Sequence, residues 1–166
     1  MDVIAGMLSI DAADIMTGAD FPQSATCGVP YLFVPLRSID AVRRVRLNHP
    51  LWEKHLAPQW ASWVYLFSYE VERPGSLLHA RMFAPSLGIS EDPATGSAAS
   101  ALGGYLGVRD PRTDGTLGWR VEQGFEMGRP SILEIEIDKV GGAITAVRVG
   151  GASVMMAEGW LEVPLD

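Results

Sequence analysis

The chain has 166 residues, 48% hydrophobic and 20% charged, with a formal net charge of −7 and a sequence pI near 4.9. That length suits one domain with its own core, and the acidic balance argues against nucleic acid or an anionic membrane surface as a partner. No apolar run reaches the roughly 18–20 residues that span a bilayer, and the opening residues, with Asp2 and no basic region before an apolar stretch, predict no secretory signal.

Residues 11–15 read as a short helix closed by Gly18, and Phe21-Pro22 opens a loop. Ala25-Thr26-Cys27-Gly28-Val29-Pro30 is an apolar, strand-like run. Its Cys27, the single cysteine, excludes an internal disulfide and points to a reducing cytoplasm. It is expected as a small buried hydrophobe rather than a racemase base. The continuous apolar run Tyr31-Leu32-Phe33-Val34-Pro35-Leu36 predicts a buried strand. Ser38 caps a helix to about Leu47, and Pro50 takes the first position of another that ends near Leu56. The aromatic and β-branched residues of 63–69 predict a strand. After a Pro74-Gly75 turn, residues 77–83 form its antiparallel partner. His79 and Arg81, two positions apart, share one face of it; such a pair is ordinarily a surface or interface feature, and no catalytic role is assigned to it.

Residues 94–108 carry no charge and little bulk before Leu102. A surface helix would show a charged face, so this run is expected as a helix buried on all sides within a curled sheet. Gly103-Gly104, at about 1 kcal/mol each in a helix interior, marks its expected end. Beyond a polar loop, residues 119–123 alternate, and residues 132–138 alternate with one wet face. Gly141-Gly142 reads as a hairpin turn, residues 144–149 pair with 153–157 across Gly150-Gly151, and residues 160–163 form a last strand that is free to seek a partner. The balance is α+β, without an internal domain boundary.

The densest chemistry lies between these elements. A loop delivers Glu91 and Asp92, then Pro93, then a Thr95-Gly96-Ser97 turn that opens the uncharged helix. Backbone N–H groups at a helix start attract anions, and glycine lets a ligand approach the main chain. Asp92 beside them would hold a cation, so the combination suits a small zwitterion such as an amino acid. On the residues alone, Asp92-Pro93 reads equally well as a helix cap and first-turn proline, and Thr95, Gly96 and Ser97 as plain capping of a buried helix. Glu91 reads as a supporting hydrogen-bond partner. His49, His55 and His79 lack metal-ligand spacing, the glycines match no P-loop or dinucleotide fingerprint, and Ser97 has no paired base. Neither a metal nor a cofactor is expected.

Arg81-Met82-Phe83-Ala84-Pro85 followed by Gly88-Ile89-Ser90-Glu91-Asp92-Pro93-Ala94-Thr95-Gly96-Ser97-Ala98 resembles the signature of the phenazine-biosynthesis PhzF-like family, whose fold is that of diaminopimelate epimerase. Glu122-Gln123-Gly124-Phe125-Glu126-Met127-Gly128-Arg129-Pro130-Ser131 resembles a strand connection of that family, and the stretch from Val147 to Gly159 its C-terminal hairpin. Ala25-Thr26-Cys27-Gly28-Val29-Pro30 is more weakly similar to the strand that opens its second domain. The resemblance implies one α+β domain over residues 1–166, a mostly antiparallel mixed sheet curled around a central buried helix. This would be the second half of a two-domain protein whose first domain, bearing a catalytic Glu and a Gly-His pair, has no counterpart here. It implies a cofactor-independent isomerase or epimerase that moves a proton on a small carboxylate-bearing molecule. Asp92, Thr95, Gly96 and Ser97 would contact the substrate, Glu91 would support them, and the resemblance assigns no certain catalytic residue to this chain. The partner is then either a separate chain carrying the first domain or a second copy. In the latter case the domain is a non-catalytic binding or interaction module whose 91–97 loops face each other across a two-fold axis.

Overall fold

The computed structural model describes residues 1–163. Four α-helices are present: α1 (Asp2–Leu8), α2 (Ile39–Arg44), α3 (His49–His55) and α4 (Gly96–Gly107). Eight strands form one sheet: β1 (Gln23–Thr26), β2 (Pro30–Pro35), β3 (Trp63–Ser68), β4 (Leu78–Ala84), β5 (Ile89–Asp92), β6 (Gly115–Gln123), β7 (Ser131–Val140) and β8 (Ala143–Gly150). The strand order is β1-β2-β3-β4-β6-β7-β8, with β5 branching off β4. The β2–β3 and β4–β6 pairs are parallel and the rest antiparallel. The fold is α+β, a mixed sheet curled around α4.

The apolar runs of β2, β3 and β4 follow from burial of both faces. On the inner face Tyr31, Phe33, Tyr65, Phe67, Leu78 and Met82 pack on Ala98, Leu102, Tyr105 and Leu106 of α4. On the outer face Val34, Val64, Leu66 and Phe83 pack on Met7, Leu8, Val42 and Trp52 of the three short helices. β4 thus alternates, with His79, Arg81 and Phe83 opposite the α4 side.

Several expectations need correction. Residues 11–15 hold only a 3-10 turn, Ala12–Asp14, and α1 replaces them as the first helix. Helix α2 stops at Arg44 rather than near Leu47, because Val45 turns extended and its carbonyl and that of Val42 accept from Arg81 Nη1, each at 3.0 Å. Helix α3 opens at His49, one residue before Pro50, behind an Asn48 side-chain cap. Cys27 is exposed, because it sits in the turn that joins β1 to β2. Helix α4 runs straight through Gly103-Gly104. A Cβ at Gly103 would lie 2.9 Å from Ile135 Cγ2, and one at Gly107 would collide with Ile137 Cδ1. These glycines let the helix press on β7, and that packing outweighs their helix penalty. Nor is α4 covered on every side: Ser97 is exposed, and Ser100 and Gly104 are only half-buried. The sheet keeps two edges, β1 and β8, and does not close around the helix. Finally, residues 153–157 and 160–163 form no strand. Consecutive apolar residues there need cover on both faces, and nothing among the described residues provides it.

Candidate functional site

Strand β4 ends at Ala84, a 3-10 turn over Pro85–Leu87 reverses the chain, and Gly88 (φ 73°) releases it into β5. β5 folds back antiparallel on β4 and sets Asp92 opposite Met82. Asp92 is therefore the last residue of a strand and not the cap of α4. The cap position belongs to Thr95, yet its hydroxyl does not cap the helix. It donates instead to Asp92 Oδ2 at 2.6 Å and accepts from Gln123 Nε2 at 2.9 Å.

The consequence is an open helix start. The first α4 bond runs from Ala99 N–H to Thr95 O, and the amides of Gly96, Ser97 and Ala98 find no acceptor among the described residues. Unpaired donors at the positive end of a helix dipole make a ready seat for an anion. Nothing lies within 4 Å of where a Gly96 Cβ would be, so the approach is clear. Beside it opens a cavity of about 480 Å³, lined among others by Ala94, Gly96, Pro130, Ser131 and Gly151. Asp92 is half-buried, and its Oδ1 makes no hydrogen bond among the described residues. Ser97 Oγ pairs with Tyr31 Oη at 2.7 Å. Burial pushes the Tyr31 phenol up, and nearby Asp92 adds to this against the Ser97 hydrogen bond, so Tyr31 stays protonated at neutral pH.

The structure brings Asp92, Thr95, Gly96 and Ser97 together, whereas Glu91 points to the other side of β5. There it accepts from Arg81 Nε and Nη2, both at 2.8 Å. Gln123 escaped the sequence reading. Fully buried, it donates to Asp92 O at 2.7 Å and accepts from Tyr65 Oη at 3.1 Å. Its amide thus fixes both ends of the Asp92–Thr95 turn. The signal was present: in the alternation of β6, Gln123 falls on the inner face with Val121, where a polar residue needs a reason.

His79 and Arg81 are buried, not superficial. His79 Nδ1 meets Glu122 Oε1 at 2.7 Å and Nε2 meets Glu126 Oε1 at 2.8 Å. Glu122 also accepts from the Arg73 amide at 3.0 Å, so the cluster ties two loops to β4. Burial acts to lower the His79 pKa, but the Glu126 and Glu122 hydrogen bonds prevail and leave it raised. Burial acts to raise both carboxyls, yet they end lowered, Glu122 by the Glu72 amide and His79, Glu126 by His79. The His79 contribution is complete below the ordinary imidazole value of about 6.5 and is lost as pH rises through the raised value. The carboxylate contributions are complete above about 4.3 and are lost as pH falls through the lowered values. The cluster therefore stabilises most between about pH 4.3 and 6.5. Thermal melting across pH should show the alkaline loss in the native chain and a flattened alkaline limb in His79→Gln; an unchanged limb in that variant would remove the cluster from the account.

Among the described residues no group of three or more His, Cys, Asp or Glu is placed to hold a metal ion, and no helix is long and apolar enough to cross a membrane. A sequence model of the family described as phenazine biosynthesis-like protein matches residues 4–159. An uncharacterized isomerase of Mesorhizobium japonicum is 39% identical over 140 residues, which is 82% of this chain and 46% of that protein. The trans-2,3-dihydro-3-hydroxyanthranilate isomerase of Pseudomonas fluorescens is 31% identical over 132 residues, covering 80% of this chain and 44% of its own length. The crystal structure of a PhzF-family protein from Bacillus anthracis superposes with a TM-score of 0.74 at 20% identity, over 81% of this chain and 46% of that one. The chain therefore spans about half the length of the relatives it matches.

Proposed function

The chain belongs to the phenazine biosynthesis-like family, and on that premise we propose that it forms the carboxylate-holding half of a cofactor-independent isomerase or epimerase. The observation that carries this reading is the unspent helix start: Thr95 turns its hydroxyl to Asp92 and leaves the Gly96, Ser97 and Ala98 amides open. The substrate named for the Pseudomonas fluorescens relative is a small molecule bearing a carboxylate, an amine and a hydroxyl. A ligand of that class would place its carboxylate on the amides and its amine or hydroxyl on the free Asp92 Oδ1. The reaction is a proton taken from one carbon and returned either to another carbon, with a double-bond shift, or to the opposite face of the same carbon, with inversion, and in neither case does the oxidation level change.

The base that moves the proton comes from outside this chain. The buried or half-buried glutamates near β4 are committed: Glu91 to Arg81, and Glu122 and Glu126 to His79. Glu122 and Glu126 are held below the usual carboxylate range, which makes them weak bases at neutral pH. A general base works best with a pKa near the working pH, and a Glu reaches that by desolvation in a cavity closed by a second body.

Titration calorimetry of the chain tests this reading. 2-Aminobenzoate should bind with a Kd on the order of 1 mM, since half a site gives about −4 kcal/mol. Benzoate should bind roughly fivefold more weakly and aniline not measurably, because a charge-assisted hydrogen bond contributes about 1 kcal/mol or more. Asp92→Asn should erase the preference of 2-aminobenzoate over benzoate. Aniline binding as well as 2-aminobenzoate, or a preference untouched by Asp92→Asn, would contradict the assignment.

A further inference from the structure

Ser97 is exposed at the start of α4, and its hydroxyl meets one side chain among the described residues, Tyr31, at 2.7 Å. Tyr31 is 1% exposed and stands near the head of β2, with Phe33 and Trp63 against its ring. Trp63 is itself tied down, its Nε1 donating at 2.7 Å to Ser86 Oγ in the turn that leads into β5. The phenol is therefore fixed, and Ser97 Oγ is the one partner its oxygen finds among the described residues. Two hydroxyls in contact can share a hydrogen bond in either direction, and here burial decides between them. If Ser97 donated, the phenol proton would be buried without an acceptor, which is costly. If Tyr31 donates, its own proton is satisfied and the Ser97 proton is left for the open side of the helix start. The phenol, with an ordinary pKa of about 10, is also the stronger acid of the two and so the better donor. Ser100 turns its hydroxyl back to Gly96 O at 3.1 Å, but Ser97 makes no such bond to the helix among the described residues.

The α4 start thus presents the Gly96, Ser97 and Ala98 amides and the Ser97 hydroxyl, four donors and no acceptor. We infer that Tyr31 is a positioning residue that holds Ser97 as a donor, and that the seat thereby selects a carboxylate over the carboxamide of the same shape. The inference rests on the α4 start being the carboxylate seat, and it adds what sets the seat's specificity. Both oxygens of a carboxylate accept, so every donor of the seat can be used. A carboxamide turns an NH2 group towards one of those donors, and two donors then face each other. Removing the phenol oxygen frees the Ser97 hydroxyl to rotate and accept from that NH2. The Tyr31 ring keeps its packing in such a variant, so the change is confined to the direction of one hydroxyl.

The test compares 2-aminobenzoate with 2-aminobenzamide, which keeps the amine that Asp92 receives and changes only the group on the α4 amides. Titrations of the full chain followed by amide chemical shifts give both Kd values. The native chain should prefer 2-aminobenzoate at least tenfold, the weight of one charge-assisted hydrogen bond. Tyr31→Phe should lower that preference about fivefold, mainly by weakening 2-aminobenzoate. Ser97→Ala should lower it by a similar factor, and Tyr31→Phe should have no further effect on the Ser97→Ala background. A purely structural role for Tyr31 would weaken both ligands equally and leave their ratio at the native value, and that result overturns the inference. So does a Tyr31→Phe effect that persists undiminished without the Ser97 hydroxyl, because Tyr31 would then not act through it. Failure of the native chain to bind 2-aminobenzoate at all would sink the carboxylate seat and this inference together, whereas binding with an unchanged ratio sinks this inference alone.

Discussion

Gly124→Ala is expected to lower stability by about 3–5 kcal/mol, an unusually large effect for one methyl group. Gly124 holds φ at 82°, a left-handed conformation that costs an L-residue about 1–2 kcal/mol. A Cβ there would collide with Arg129 O and lie 2.7 Å from Pro93 O. Both obstacles are backbone, so neither can swing aside as a side chain would. The turn after Gln123 and the turn before Thr95 would have to separate, and the Gln123 hydrogen bonds to Asp92 O and Thr95 Oγ1 would go with them. Gly128→Ala is the matched control, because it has φ 67° and nothing within 4 Å of its Cβ. Urea unfolding should show it losing only about 1–2 kcal/mol. Equal losses in the two variants would mean that Gly124 is required for its dihedral alone, and that the close approach of the two turns is unimportant.

Arg81→Met is expected to cost about 3–5 kcal/mol, because it strips a half-buried carboxylate of its partner and leaves two backbone carbonyls without their donor. Arg81 is 5% exposed, and its guanidinium makes two bonds to Glu91 and one each to the carbonyls of Val42 and Val45. It joins the end of α2 to β5, the strand that carries Asp92. Its removal leaves Glu91 half-buried without its partner and two carbonyls without a donor. Glu91→Gln should do less harm, since an amide oxygen still accepts from the guanidinium. In the double variant Arg81→Met with Glu91→Leu the orphaned charge is gone, and part of the loss should return as a coupling energy above about 1 kcal/mol. A typical domain has about 5–15 kcal/mol in total, so urea midpoints separate these outcomes readily. A loss within 1 kcal/mol for Arg81→Met would show the pair to be as weak as a surface ion pair.

The parts of the fold visible in the sequence were those governed by local pattern. The uncharged run of α4 marked a helix wrapped by the sheet, though burial on all sides was too much to expect of it, and the alternation of β4 placed His79 and Arg81 on one face. What stayed hidden depended on distant partners. His79 looks superficial until Glu122 arrives from β6 and Glu126 from the β6–β7 connection. Gly103-Gly104 reads as a helix break until Ile135 and Ile137 of β7 are seen to occupy the space of the missing Gly103 Cβ. Cys27 looked buried because its apolar neighbours hid the turn between β1 and β2. The 91–97 loop was legible as a unit, since its chemistry is consecutive in the chain. That Thr95 would turn away from the helix was not legible, because Gln123 holds it from 28 positions further along.

Amide chemical-shift mapping of the isotope-labelled chain with 2-aminobenzoate bears most directly on the claim that the open start of α4 is a carboxylate seat. The largest changes should fall on the Gly96, Ser97 and Ala98 amides, with smaller ones at Asp92 and Thr95. The nearest rival is the groove lined by Arg73, Arg120 and Glu134, which carries cations of its own. Shifts concentrated at Arg73 and Arg120, with the α4 amides unmoved at saturating ligand, would contradict the account.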